Sequence, residues 1–217
     1  MGTLVLETDS SCSNDYAALG LKDLRNNSPR KPPILSLLSA VLERSVQKNE
    51  WMLETSQAKD IITVFHGLRA PSLSIQQYID RIFKYACCSP SCFVIANIYI
   101  DRFIQRTNLF LTSLNIHRLL ITSVMVAAKF MDDAFFNNAY YARVGGVSTA
   151  ELNKLEIKFL FGLDFRIHVT VKTFGEYCSV FKKEATGGLI ERSILACGVE
   201  ESWANKDDST CAHSVAR

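Results

Sequence analysis

Apolar residues recur along most of this chain at three- and four-residue spacings, the period of helices packed on one face. After Pro32-Pro33, the run ILSLLSAVLERSVQKN places Ile34, Leu37, Leu38, Val41 and Leu42 on one side, predicting a helix over 32–55. Ser74 with Gln77 forms a capping-box pattern ahead of YIDRIFKYACC. Ser89-Pro90 reads as an N-cap followed by proline in the first turn, opening SCFVIANIYIDRFIQR. That run is apolar nearly all round except for Asn97, Asp101 and Gln105, so it belongs at the centre of a bundle. Asn115 reads as the cap of IHRLLITSVMVAAKFMDD, and Asn137 as the start of a short helix, NAYYARV, stopped by Gly145-Gly146. Ser148 with Glu151 is a second capping box, leading into LNKLEIKFLF and ending at Gly162. Thr170 opens a last helix, VKTFGEYCSVFKKEA, with Gly187-Gly188 as its stop. All five prolines lie at or before Pro90, which frees the rest of the chain for helices. The expectation is an all-α bundle of five or six core helices, with a mobile tail at 1–31 and a polar tail at 189–217.

At 217 residues and 48% apolar, the chain is large enough for one packed domain with tails. Its start, MGTLVLETDSSCSNDY, lacks the basic and continuous apolar stretches of a secretion signal, and Leu6 stands where myristoylation wants Ser or Thr. No apolar run is long enough to span a membrane, so the expected location is intracellular, nucleus and/or cytoplasm. Seven cysteines are then expected to stay reduced. Cys87, Cys88 and Cys92 cluster without a partner set at zinc spacing, so they read as small buried side chains and no metal is expected. A net charge of +2 is too weak a basic field to point to nucleic acid. His66, His117 and His168 stand apart from the cysteines, and the chain has neither a nucleophile elbow nor a phosphate loop. No catalytic residues and no cofactors are expected.

Two helices show charge off their core stripe. After Asn115, the stripe Ile116, Leu120, Val124, Ala127 and Met131 faces inward, leaving Lys129 on the other side beside Thr122, Met125 and Val126. After Ser148, Leu152, Leu155 and Phe159 form the stripe, with Glu156 and Leu160 on a neighbouring face. Each is a lone charge amid apolar residues: either ordinary surface or a docking face for a helical partner.

Longer strings speak to that choice. YIDRF at 99–103, AAKFMDD at 127–133 and LEIKFLFGLDF at 155–165 resemble the signature segments of the cyclin box, in order and at similar spacing. FNNAYYARVGGVSTAELNKLE at 136–156 resembles the phosphate-signalling class of cyclins, and the whole is most similar to the plant P-type, or U-type, cyclins. The resemblance covers roughly residues 34–180. It implies a single five-helix cyclin box over 70–168, flanked by helices at 32–55 and 169–188. Residues 166–217 are too few for a second box.

The resemblance also implies a partner: a cyclin-dependent protein kinase, bound as a heterodimer and activated, in cell-cycle or nutrient (phosphate) signalling. Lys129 and Glu156 match the family's hydrogen-bonding contacts to the kinase. Val126, Phe130, Leu160 and Phe165 match its apolar pocket, and Asp101 an aspartate that supports the box. The first box helix, SIQQYIDRIFKY, lacks the MRAIL-like segment with which many cyclins dock substrates. Ser28-Pro29-Arg30-Lys31 carries the pattern such kinases phosphorylate, making Ser28 a candidate phosphosite. The alternative reading is a helical, transcription-factor-like interaction domain without a kinase partner.

Overall fold

The computed structural model describes residues 16–21, 31–56 and 60–185. Within them lie seven helices: α1 (Pro33–Ser56), α2 (Ile75–Ala86), α3 (Pro90–Thr107), α4 (Ile116–Met131), α5 (Asn138–Gly145), α6 (Thr149–Gly162) and α7 (Val171–Ala185), with no strand among the described residues. Helices α2 to α6 make the five-helix box, and α1 and α7 flank it in sequence and pack against it.

The helix starts follow the polar residues that precede them. Ser74 forms the complete reciprocal box with Gln77. Asn137 accepts from the Tyr140 N–H at 3.0 Å, and Thr170 Oγ1 from the Thr173 N–H at 3.1 Å. Ser148 caps α6 through the Glu151 N–H at 3.1 Å, but the Glu151 carboxylate pairs with Arg118 of α4 instead of reaching back, so only half that box forms. Ser89 makes no side-chain cap; its own N–H donates to Asp132 Oδ2 at 2.9 Å. Asn115 makes no cap either. Fully buried, its amide accepts from the Thr112 N–H at 3.0 Å and donates to the Phe110 carbonyl at 2.7 Å, knitting the loop that enters α4. A buried loop must satisfy its backbone groups internally, and Asn115 does so for two of them.

Helices α3 and α4 are the centre of the bundle. Phe103 of α3 stacks on Phe159 of α6 at 5.0 Å, and Phe65, from the segment between α1 and α2, meets Phe103 edge-on at 5.1 Å. The expectation that α4 has an outer face fails for most of its length. Thr122, Met125 and Val126 are as buried as Leu120 and Val124, because α2, α3, α5 and α6 surround the helix; only Met131 of the proposed inward stripe is exposed. The buried hydroxyls of Thr122 and Ser123 return to the carbonyls of Arg118 and Leu120.

The tail expected at 1–31 needs correction at 16–21. Leu19 is a core residue, its carbonyl accepts from the Ile34 N–H at the start of α1, and the Tyr16 ring lies 5.8 Å from Phe174 of α7. Residues 186–217, including the expected Gly187-Gly188 stop and the polar tail, lie outside the described residues. Cys88 and Cys92 are buried as expected, whereas Cys87 is exposed, in left-handed geometry at the end of α2.

Candidate functional site

The last turn of α4 leaves the core between Ala128, which is buried, and Phe130, which is 47% exposed. Lys129 emerges there and is not a lone charge. Its Nζ donates to Glu156 Oε1 of α6 at 2.6 Å and to Asn138 Oδ1, the first residue of α5, at 2.5 Å. The Asn138 amide donates to Glu156 Oε2 at 2.6 Å and to Asn153 Oδ1 at 2.7 Å. Three helices thus meet in one closed hydrogen-bond network. The Lys129 and Glu156 side chains are 27% and 18% exposed, so the network is pre-positioned yet still reachable. Sequence reasoning found the two charges but not their pairing across 27 residues, and it missed Asn138. The one signal was position: Asn138 follows an N-cap asparagine, where a polar side chain has no local duty.

Exposed apolar side chains lie on the same two helices and in the loops that follow them. Phe130, Met131 and Phe135 are exposed on the α4 side, and Ile157, Phe161 and Phe165 on the α6 side. Leu160, one turn beyond Glu156, is half-buried. Val126 is 4% exposed and lies beneath the surface rather than in it. The Phe161 and Phe165 rings meet edge-on at 5.3 Å.

Phe165 sits in an unusual backbone. Asp164 and Phe165 have φ of 55° and 56°, left-handed values that cost a non-glycine residue roughly 1–2 kcal/mol. Local bonds impose the turn: the Asp164 and Phe165 N–H groups donate to the carbonyls of Phe161 and Leu160, each at 3.0 Å. The YIDRF string of α3 clamps it from below. Tyr99 Oη donates to the Ile167 carbonyl at 2.6 Å, and Arg102 to those of Arg166 and His168 at 2.8 Å. Phe103 packs under Gly162, where a Cβ would come within 2.2 Å of its ring. Asp101, meanwhile, accepts from Tyr177 Oη at 3.0 Å, tying α7 to the box. The string therefore holds in place the loop that presents Phe165. Strain maintained in this way is common where a surface must keep one shape.

The remaining chemistry is quiet. A hydrogen bond with Cys88, together with burial, holds the Cys92 thiol far above its usual range, which disfavours the nucleophilic thiolate. His66 hydrogen-bonds Asp60 and Asn115, and His117 the Leu73 carbonyl, rather than thiols. Among the described residues no group of side chains could hold a metal ion, and no helix is long and apolar enough to cross a membrane. Ser28 lies outside the described residues.

The Cyclin family profile matches residues 32–167, which takes in α1 and the whole box. Cyclin-P3-1 of Oryza sativa subsp. japonica is 54% identical over 196 residues, covering 89% of this chain and 83% of that protein. Cyclin-U3-1 of Arabidopsis thaliana is 49% identical over 209 residues, 94% of this chain and 95% of the relative. Cyclin-U4-1 of Arabidopsis thaliana is 54% identical over 181 residues, with 83% and 89% covered. With a matching profile over most of its length and relatives of this similarity aligned nearly end to end, the chain belongs to the cyclin family, in its plant P-type or U-type branch.

Proposed function

We propose that this chain is the regulatory subunit of a cyclin-dependent protein kinase, binding and activating it through the face built around Lys129, Asn138 and Glu156. The observation that carries this reading is a hydrogen-bonded, partly exposed charge pair on two helices whose ends also expose aromatic side chains, Phe130, Phe161 and Phe165 among them. An apolar surface with a few fixed polar groups at its middle suits the groove-and-anchor recognition of a partner helix. Lys129 and Glu156 supply directional hydrogen bonds to the kinase regulatory helix and the backbone beside it. Phe130, Leu160 and Phe165 supply the apolar contacts, and Val126 shapes them from beneath.

The chain acts by binding, without chemistry of its own. A kinase of this type needs its regulatory helix and activation segment in place before ATP is aligned. A partner that binds the active arrangement more tightly than the inactive one shifts the population towards it. The setting is cell-cycle or nutrient (phosphate) signalling, and the heterodimer works in the nucleus or cytoplasm. Ser28 is a substrate of the bound kinase.

Purified chain added to candidate cyclin-dependent kinases tests the reading. Complex formation with at least one kinase, together with a large rise in peptide phosphorylation, is expected. A panel in which no kinase is bound or activated overturns it. Mass spectrometry of an active complex after prolonged incubation with ATP checks Ser28, which is expected to carry phosphate.

A further inference from the structure

Far from Lys129, at the other end of α4, lies a cavity of about 440 Å³. Arg118 and Lys129 are eleven positions apart on α4, roughly 16 Å along its axis at 1.5 Å per residue. The cavity is lined by Arg69 from the segment before α2, by Arg81 of α2, by His117 and Arg118 of α4, and by Glu151 of α6. Glu151 is its only carboxylate among the described residues and is committed to Arg118. Arg81 donates Nε to the Val144 carbonyl at 2.8 Å and Nη2 to that of Arg143 at 3.3 Å, leaving Nη1 unengaged and no carboxylate beside it among the described residues. Arg69 is exposed at the rim, also without a carboxylate among the described residues. Two guanidinium charges thus converge on one concavity without neutralisation.

His117 adds an unmet requirement. It is 9% exposed, and its Nε2 donates to the Leu73 carbonyl at 2.9 Å, so the lone pair resides on Nδ1, which is buried and has no partner. Tyr78, whose ring lies 4.8 Å away, spends its hydroxyl on the Gly145 carbonyl. Buried polar atoms are rarely left in this condition, and those that are call for an explanation.

We propose that this cavity binds a phosphate monoester, with its oxygens on Arg69 and Arg81 and its P–OH hydrogen on His117 Nδ1. Guanidinium groups match phosphate oxygens in geometry and charge. A second ionisation near pH 6 leaves part of the ester with a P–OH to donate at near-neutral pH. A carboxylate or a sulfate ester offers the negative charge without that hydrogen. Two sources offer such a group, a phosphorylated protein side chain and a free small molecule. Apolar Leu68, Pro71 and Val147 also line the cavity and suit contact with residues flanking a phosphorylated one.

The test is calorimetric titration of the full chain with a phosphoserine peptide, phenyl phosphate, phenyl sulfate and benzoate. Saturable binding of the phosphate probes is expected, weaker by about tenfold or more for the sulfate and carboxylate. Arg69→Gln and Arg81→Gln should each weaken phosphate binding by about tenfold or more. Lys84→Gln, an exposed cation on the same helix but outside the cavity, should leave it unchanged. A peptide bound tenfold more tightly than phenyl phosphate identifies a phosphoprotein source, and equal affinity a free phosphate. Arg69 is exposed, so its variant is expected to melt like the wild type and report on binding alone. No phosphate binding at millimolar concentration, equal binding of all anions, or an Arg69→Gln variant that binds normally overturns the assignment.

Discussion

Gly162 is expected to be irreplaceable for a reason that can be worked out in ångströms. A Cβ built there lies 2.2 Å from Phe103 Cε2 and 2.7 Å from Cδ2, against the roughly 3.5–4.0 Å at which carbon atoms rest in contact. The ring cannot simply retreat, since Phe159 stacks on it at 5.0 Å and Phe65 abuts it at 5.1 Å. Overpacking of this kind typically costs about 1–3 kcal/mol. Alanine's better helix propensity, worth up to about 1 kcal/mol, offsets part of it. A net loss of about 1–2 kcal/mol lowers the melting temperature of a chain this size by roughly 2–8 °C. Gly146 is the control. It needs its positive φ of 72° but has nothing within 4 Å of a Cβ, so Gly146→Ala should lose only about 1–2 kcal/mol of backbone preference. Thermal melting of both variants checks the stability losses, and the kinase affinity measured beside it discriminates between them. Gly162→Ala should also weaken binding, because the displaced α6 terminus carries the Phe165 turn, whereas Gly146→Ala should not. A Gly162→Ala variant as stable as wild type would refute the tight closure of α6 on α3.

Other expectations follow from particular contacts. Leu120→Ala, fully buried on α4, should lower stability by about 2–5 kcal/mol in urea unfolding. Asn138→Ala removes one acceptor from Lys129 and one donor to Glu156; kinase affinity should fall by about tenfold with the melting temperature little changed, and an unchanged affinity would count against the network's role. Burial lowers the pKa of His117 below its ordinary 6.5. The folded state therefore resists a proton that the unfolded state accepts, so this contribution is fully present above pH 6.5 and is lost as pH falls through the folded value. His117→Gln, which can still donate to Leu73, should flatten the stability profile between about pH 7 and 5, as followed by urea unfolding in a pH series.

Helix positions were the most legible feature of the sequence, because the signals are local. Ser74, Asn137, Ser148 and Thr170 each cap the helix they precede. Where a polar residue had a tertiary alternative, local reading failed. Asn115 has the composition of a cap but is spent inside its own loop, and the Glu151 carboxylate prefers Arg118 to its helix end. Periodicity likewise gave the stripe of α6 correctly, since Leu152, Leu155 and Phe159 are buried. It misjudged α4, where neighbours on every side bury Thr122 and Met125, and a helix wheel cannot count neighbours. Periodicity placed Lys129 and Glu156 off the core stripes but left them open between ordinary surface and docking face, and only the resemblance decided for a kinase contact. Their mutual hydrogen bond, and the asparagine that completes it, depend on how α4, α5 and α6 meet.

The central claim, that Lys129 and Glu156 serve a partner rather than the fold, is tested most directly by measuring stability and kinase affinity on the same variants. The pair is partly exposed, so removing either member should change folding by only about 1 kcal/mol. In the proposed complex the same groups would be buried, and losing one partner of a buried charged hydrogen bond costs about 2–5 kcal/mol, roughly 30-fold or more in affinity. Lys129→Ala and Glu156→Ala should therefore melt within a few degrees of wild type while binding the kinase at least about 30-fold more weakly. Variants that unfold would make the pair structural, and variants that fold and bind normally would place the kinase on another surface.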